Sequence, residues 1–168
     1  MPITRAEAFA PASMGNVGIG FDILGLAYQE PGDRVIAEYW DQPGIQIAKI
    51  EGDGGRLPLT ASQNTAGVAA QSVLSRVGAD CGISLTIYKG LSLESGMGSS
   101  AASAVAAAMA VNALLGSPLT KRDLLPACLD GEALVSGRHA DNVAPCLLGG
   151  IVLVTGVDAD HILTLPYP

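Results

Sequence analysis

The sequence predicts an α+β domain, and three stretches predict it. The first, Ile83-Ser84-Leu85-Thr86-Ile87-Tyr88, alternates apolar and polar residues as a half-buried strand does. The second, Asn64–Val77, sets Val68, Leu74 and Val77 among the apolar positions of an amphipathic helix and stops at Gly78. The third, Ser92–Gly116, runs from the glycine- and hydroxyl-rich turn Gly96-Met97-Gly98-Ser99-Ser100 into an alanine-rich segment whose composition favours helix. Strand, glycine loop and helix thus follow one another directly.

The other elements are read in chain order. Ile3–Phe9 suits a first strand and leads into Pro11–Gly25, where four glycines limit regular structure. Asp33–Trp40 and Ile45–Ile50 read as a hairpin pair across the turn sequence Asp41-Gln42-Pro43-Gly44, and Glu51–Pro58 as a loop. Beyond the alanine-rich helix, Thr120 suits the cap of a further helix from Lys121 to about Leu129. Gly131–Pro145 is the densest polar segment, and Ile151–Thr155 reads as an apolar strand.

Composition excludes several function classes. The 168 residues suffice for one domain with a real core, or for a piece of a larger protein. Nine basic against sixteen acidic residues give a net charge of −7, with no Lys/Arg run, so the chain lacks the basic face that nucleic acid requires. Cys81, Cys128 and Cys146 are odd in number and lack C-x-x-C spacing; they read as small buried hydrophobes in a reducing compartment, not as a disulfide framework or zinc site. The longest apolar stretch, Ala101–Leu115, contains Ser103 and Asn112 and is too short to span a bilayer. Arg5 and Glu7 interrupt the N-terminus, which does not read as a secretory signal. The expectation is a soluble, cytoplasmic protein without a membrane partner. The sequence does not fix the oligomeric state, and a homodimer is compatible with it.

A strand–glycine loop–helix junction suits an anion, because glycines admit close backbone approach and N–H groups at the helix start point outward. Phosphate is the leading ligand. A Walker-type loop is excluded, since no lysine follows Gly98. Gly96, Gly98 and Ala101 fit the G-x-G-x-x-A of a dinucleotide fingerprint. The acidic residue expected about 20 residues on is replaced by the turn Ser117-Pro118-Leu119-Thr120 opening another helix. A packed glycine turn capped by Ser99 or Ser100 is the alternative without a ligand. Asn16 and Asp22, polar among apolar neighbours, either meet a ligand or cap turns. Glu132 reads as a Mg²⁺ ligand or a solvated helix carboxylate. His139 reads as a general base, a substrate contact or a structural histidine.

Three blocks together resemble the homoserine kinase family, of the GHMP superfamily that also holds galactose, mevalonate and phosphomevalonate kinases. Pro11–Ala27, PASMGNVGIGFDILGLA, is similar to the family's first motif. Ser95–Ala107, SGMGSSAASAVAA, is similar to its phosphate-binding second motif. Ser136–Gly150, SGRHADNVAPCLLGG, resembles the segment that separates homoserine kinases from their relatives. The resemblance implies an N-terminal GHMP kinase domain over residues 1–168, a mixed sheet packed with helices in a fold shared with a small-ribosomal-subunit protein. It implies ATP- and Mg²⁺-dependent phosphorylation of the homoserine hydroxyl, a step toward threonine. Asn16 and Asp22 would then hold the amino and hydroxyl end of homoserine, with His139 also facing the substrate. Ser95, Gly96, Met97, Gly98, Ser99, Ser100 and Ala101 would form the triphosphate loop, and Asn64 would lie near adenine or ribose. Ser100 and Glu132 would bind Mg²⁺, while Asp22 and Asn142 would stand at the reacting centre. Where the mevalonate branch has an aspartate base, Asn142 cannot act as one, so positioning and charge neutralisation would carry the chemistry.

The sequence also departs from the family pattern. Ser92 and Glu94 stand where a proline and a glycine are usual, and a carboxylate beside a triphosphate is unfavourable unless it points away or meets Mg²⁺. Met97 replaces a leucine at similar volume, and Gly15 an alanine. The family is longer, with a second domain bearing a third glycine-rich motif and arginines for the substrate carboxylate. The expectation is an N-terminal half that is inactive alone. The competing expectation is a non-catalytic domain that binds a nucleotide or phosphometabolite, or serves as an interaction module.

Overall fold

The computed structural model describes residues 3–18 and 22–166; Ile19, Gly20 and Phe21 of the first motif lie outside the described residues. Among these, the chain runs β1 (Arg5–Met14), β2 (Leu24–Trp40), β3 (Gly44–Glu51), α1 (Thr65–Val77), β4 (Gly82–Tyr88), α2 (Ser99–Leu114), α3 (Lys121–Glu132), α4 (Ala140–Leu148), β5 (Ile151–Val154) and β6 (Ile162–Leu165). The strands form one mixed sheet in the order β3-β4-β2-β5-β6, with β1 also paired to β2. This is the α+β architecture expected from the sequence.

Alanine decides how the helices stack. Helix α2 packs on β1 and β2 and is covered by α1 and α3, so residues from Ala101 to Leu114 are buried around nearly its whole circumference. Side chains of one carbon let the helix sit between sheet and outer helices without pushing either away. Where α3 crosses, Gly131 faces the Thr65 carbonyl and the methyls of Ala69 and Ala104. Larger side chains fill the remaining core, among them Val73, Leu74, Leu85, Ile87, Leu124 and Leu125.

Local signals set the helix ends, with Gly78 and Thr120 acting as expected and Asn64 lying just outside α1 as its cap rather than inside it. Asn64 caps α1, accepting from the Ala66 amide at 3.0 Å, and Gly78 closes it in the left-handed conformation at φ +66°. Thr120 and Asp123 form a capping box at the start of α3.

The structure corrects the hairpin expectation. The turn after Trp40 reverses the chain, but β2 and β3 do not pair: β4 lies between them, antiparallel to β2 and parallel to β3. A turn sequence fixes the reversal, not the neighbour; α1 supplies the crossover that a parallel β3–β4 pair requires. Gly82 makes room at this junction, where a Cβ would overlap the Gln42 carbonyl and Trp40.

Three other differences concern extent. Strand β1 continues through Pro11 to Met14, with its register to β2 shifting between Pro11 and Ser13. Helix α3 continues to Glu132 although Pro126 lies inside it. The polar segment is partly helical, because α4 occupies Ala140–Leu148 and turns Val143, Ala144 and Leu147 into the core. Among the described residues, no helix is long and apolar enough to cross a membrane. Cys128 and Cys146 are buried free thiols, and Cys81 is half-buried.

Candidate active site

A cleft of about 910 Å³ opens where four segments converge: the loop after β3, the first turn of α1, the glycine loop before α2, and the α3–α4 junction. Asn16 and Asp22 also line it.

The glycine loop is pressed against the end of β1 and the start of α4. Gly96 and Gly98 take left-handed φ values of +72° and +65°, which L side chains rarely adopt. A Cβ on Gly98 would overlap Ser13 Oγ and meet Asn142 Oδ1. The Ser13 amide donates to the Met97 carbonyl at 3.1 Å, and Ser13 Oγ donates to Asn142 Oδ1 at 3.1 Å. Glu94 sits at φ +61°, is exposed and lines the cleft, so its carboxylate stands on the side an anion would approach.

The serine-cap reading is corrected. Gly98 is the N-cap of α2, and no side chain caps the first turn. Ser99 Oγ instead donates to the Leu91 carbonyl at 3.4 Å, and Ser100 Oγ donates to Glu132 Oε1 at 2.9 Å. The first-turn amides of α2 are thereby left without a side-chain acceptor, which suits an anion.

Glu132 is not a solvated carboxylate. It is 5% exposed, and its Oε1 accepts from Ser100 and from Ser136 at 2.5 Å. Its Oε2 is buried and has no partner among the described residues. An orphaned buried carboxylate oxygen is costly unless something else meets it, and beside an uncapped helix start that suits an anion a hard cation fits. Among the described residues no three His, Cys, Asp or Glu side chains gather into a metal site. A Mg²⁺ here would therefore take its remaining ligands from phosphate and water, its ordinary habit at nucleotide sites.

The α3–α4 junction delivers His139, Asp141 and Asn142 to the same cleft. His139 is exposed and precedes the first turn of α4 with an extended backbone. Asp141 is 4% exposed, and Gly15 approaches so closely that a Cβ would overlap its Oδ2. Burial, and then the charge of Asp22, raise the Asp141 pKa above the ordinary aspartate value. Across the cleft, Asn16 Oδ1 accepts from the Asp22 amide at 3.0 Å, and Asp22 is held at φ +57°.

On the far wall, Asn64 is engaged at both ends, capping α1 and donating to the Pro58 carbonyl at 3.0 Å. Asp53, accepting from the Gly55 and Leu57 amides, folds the loop so that Arg56 and Leu57 line the cleft beside it. These bonds lower the Asp53 pKa. Of the residues expected at the site, Asn16, Asp22, Asn64, Ser95, Gly96, Gly98, Ser99, Ser100, Glu132, His139 and Asn142 come together here. Met97 packs against the core and Ala101 is fully buried, so both lie behind the lining. Sequence reasoning missed Asp141, although it stands inside the quoted third block, as well as Arg56 and the buried Lys89 next to the loop.

Comparison with known proteins bears on the family and the fold. Residues 64–150, more than half of the chain, match the family model described as GHMP kinases N terminal domain. Homoserine kinase from Xanthomonas campestris is 49% identical over 154 residues, covering 91% of this chain and 48% of that protein. A crystal structure of homoserine kinase from Cytophaga hutchinsonii superposes with a TM-score of 0.92 at 45% identity, covering 98% of this chain and 53% of that one. Mevalonate kinase from Methanococcus jannaschii, at 12% identity and a TM-score of 0.70, shares the fold over 97% of this chain and 56% of its own. The chain spans about half the length of the curated relatives it matches.

Proposed function

On the premise that this chain belongs to the GHMP kinase family, we propose that it supplies the nucleotide-binding half of a homoserine kinase. The observation that carries the proposal is the pairing of Ser100, at the uncapped start of α2, with buried Glu132, whose second oxygen has no partner among the described residues. That pairing suits Mg-ATP, and the 49% and 45% identical relatives are homoserine kinases.

In this reading Gly96–Ser100 and the first-turn amides of α2 receive the triphosphate. Ser100 and Glu132 would hold Mg²⁺, which neutralises charge on the phosphate oxygens. Asn64, Arg56 and Leu57 frame the nucleoside end, while Asn16, Asp22 and His139 face homoserine. The new bond joins the homoserine hydroxyl oxygen to the γ-phosphorus, the bond to the β,γ-bridging oxygen breaks, and the hydroxyl loses its proton. A loose transition state asks for alignment more than for a strong base. Asn142, fixed by Ser13, serves alignment, and Asp22 is the carboxylate placed to accept the proton. The second half found in the relatives would complete the acceptor site, leaving this chain alone inactive.

The test is ADP release from a polypeptide of the relatives' full length carrying this chain, offered homoserine, mevalonate and galactose separately with Mg-ATP. Turnover with homoserine alone is expected, and none from the 168-residue chain. Mg-ATP binding without turnover on any acceptor would replace this reading with a non-catalytic nucleotide-binding domain.

A further inference from the structure

We infer that Asp33, Lys89 and Ser103 are positioning residues that clamp both ends of the phosphate loop from beneath. The inference rests on the nucleotide reading above and deepens it. That reading assigns none of the three to the ligand, although Lys89 and Ser103 border the floor of the cleft and Asp33 lies behind it.

Asp33 lies on β2, Lys89 directly follows β4, and Ser103 stands in the second turn of α2. The side chains of Lys89 and Asp33 are 1% and 0% exposed, and Ser103 is buried. Three acceptors surround the Lys89 ammonium: Asp33 Oδ2, the Ser99 carbonyl at 2.9 Å and Ser103 Oγ at 2.8 Å. They match its three protons. Ser103 donates its own proton to Asp33 Oδ2 at 2.7 Å. Asp33 Oδ1 accepts from the Gly90 and Leu91 amides at 3.0 and 3.2 Å. Every polar proton of the three side chains has an acceptor, and both Asp33 oxygens are engaged.

Its points of attachment matter most. Gly90 and Leu91 are the last residues before the loop, and Ser99 is the first residue of α2 after it. One carboxylate therefore ties the entry of the loop directly and its exit through Lys89. The intervening Glu94, Ser95 and Gly96 are exposed and pack little, so the loop's geometry must come largely from its ends.

A buried ion pair is a weak route to stability. Desolvation offsets much of the attraction, and apolar residues of similar volume often hold a fold as well. Burial pulls the Lys89 pKa down here, against the opposing pull of Asp33. What the pair supplies beyond apolar packing is direction: several oriented bonds to two backbone segments that no alkyl group could make.

The test replaces the pair without leaving a lone charge. Asp33→Asn combined with Lys89→Met keeps size and one acceptor for Gly90 and Leu91 while removing both charges. The double variant should melt near the parent but bind Mg-ATP about tenfold more weakly or worse, the loss expected when a preorganised loop must be ordered by its ligand. In the full-length enzyme the loss should fall on KM for ATP and spare KM for homoserine. Amide exchange without ligand should quicken over residues 92–100 and nowhere else. Should the double variant not fold, Ser103→Ala carries the test, since it deletes a shared hydroxyl and strands no charge; a smaller loss of Mg-ATP affinity and the same local exchange are expected. A folded variant with parental Mg-ATP affinity and parental loop exchange would overturn the clamp. If the parent itself binds no Mg-ATP, the nucleotide reading fails, and exchange alone decides: quickening confined to the loop supports the clamp, and unchanged or fold-wide exchange refutes it.

Discussion

Glu132 illustrates how one residue can be read twice. In the sequence it is a lone carboxylate near a helix end; in the structure it is buried with one oxygen held by two serines and the other unclaimed among the described residues. Glu132→Gln and Ser100→Ala should each weaken the Mg²⁺ response of nucleotide binding by roughly 10-fold or more, since even groups that only support a metal ligand cost that much. Titration of Mg²⁺ at fixed ATP measures this, and an unchanged response in both variants would remove them from a metal site. Asp141 carries a pH signature. Its folded pKa is raised by burial and by Asp22, so its ionisation opposes folding once pH climbs through that value. Asp141→Asn should therefore melt above the parent at neutral pH, with the two converging as pH falls toward about 4. Melting curves across pH decide it, and a variant less stable than the parent at neutral pH would contradict the assignment. The motif residues were legible because their types and spacings are unusual within a short stretch. Asp33 and Lys89 were not, because an aspartate and a lysine 56 positions apart announce nothing until β2 and β4 pair and bring Arg34 opposite Tyr88.

At the scale of elements, the strands and helices with strong local signals were legible. Helix α1 stops at Gly78 and α3 is capped by Thr120, as read from the sequence. The insertion of β4 between β2 and β3 was not, because pairing partners depend on the crossover through α1 and not on the turn. Helix α4 was masked by the polar residues of its first turn, which serve the cleft, and by Pro145. Two substitutions test the packing. Ala104→Leu should cost about 1–3 kcal/mol by overpacking the contact between α2 and Gly131 of α3. Thr120→Ala should cost about 1 kcal/mol through loss of the cap. Denaturant unfolding measures both, and Thr120→Ala should leave Mg-ATP binding unchanged because the cap lies away from the cleft lining.

Across the whole molecule, Asn16 and Asp22, the loop after β3, the glycine loop and the α3–α4 junction come from separate parts of the sequence and meet in one cleft. In a chain of net charge −7, what this cleft offers a triphosphate is local: left-handed glycines, uncapped helix amides, Arg56 in the lining, and a Glu132 oxygen without a partner among the described residues that suits a divalent cation. The proposed function therefore stands or falls with Mg²⁺-dependent nucleotide binding in this cleft. Calorimetric titration of ATP into the 168-residue chain, with Mg²⁺ and with chelator, tests it most directly. The account predicts saturable one-to-one binding that needs Mg²⁺ and is lost in Gly98→Ala, where a new Cβ would overlap Ser13. Absence of binding, or binding indifferent to both Mg²⁺ and the Gly98 substitution, would contradict it.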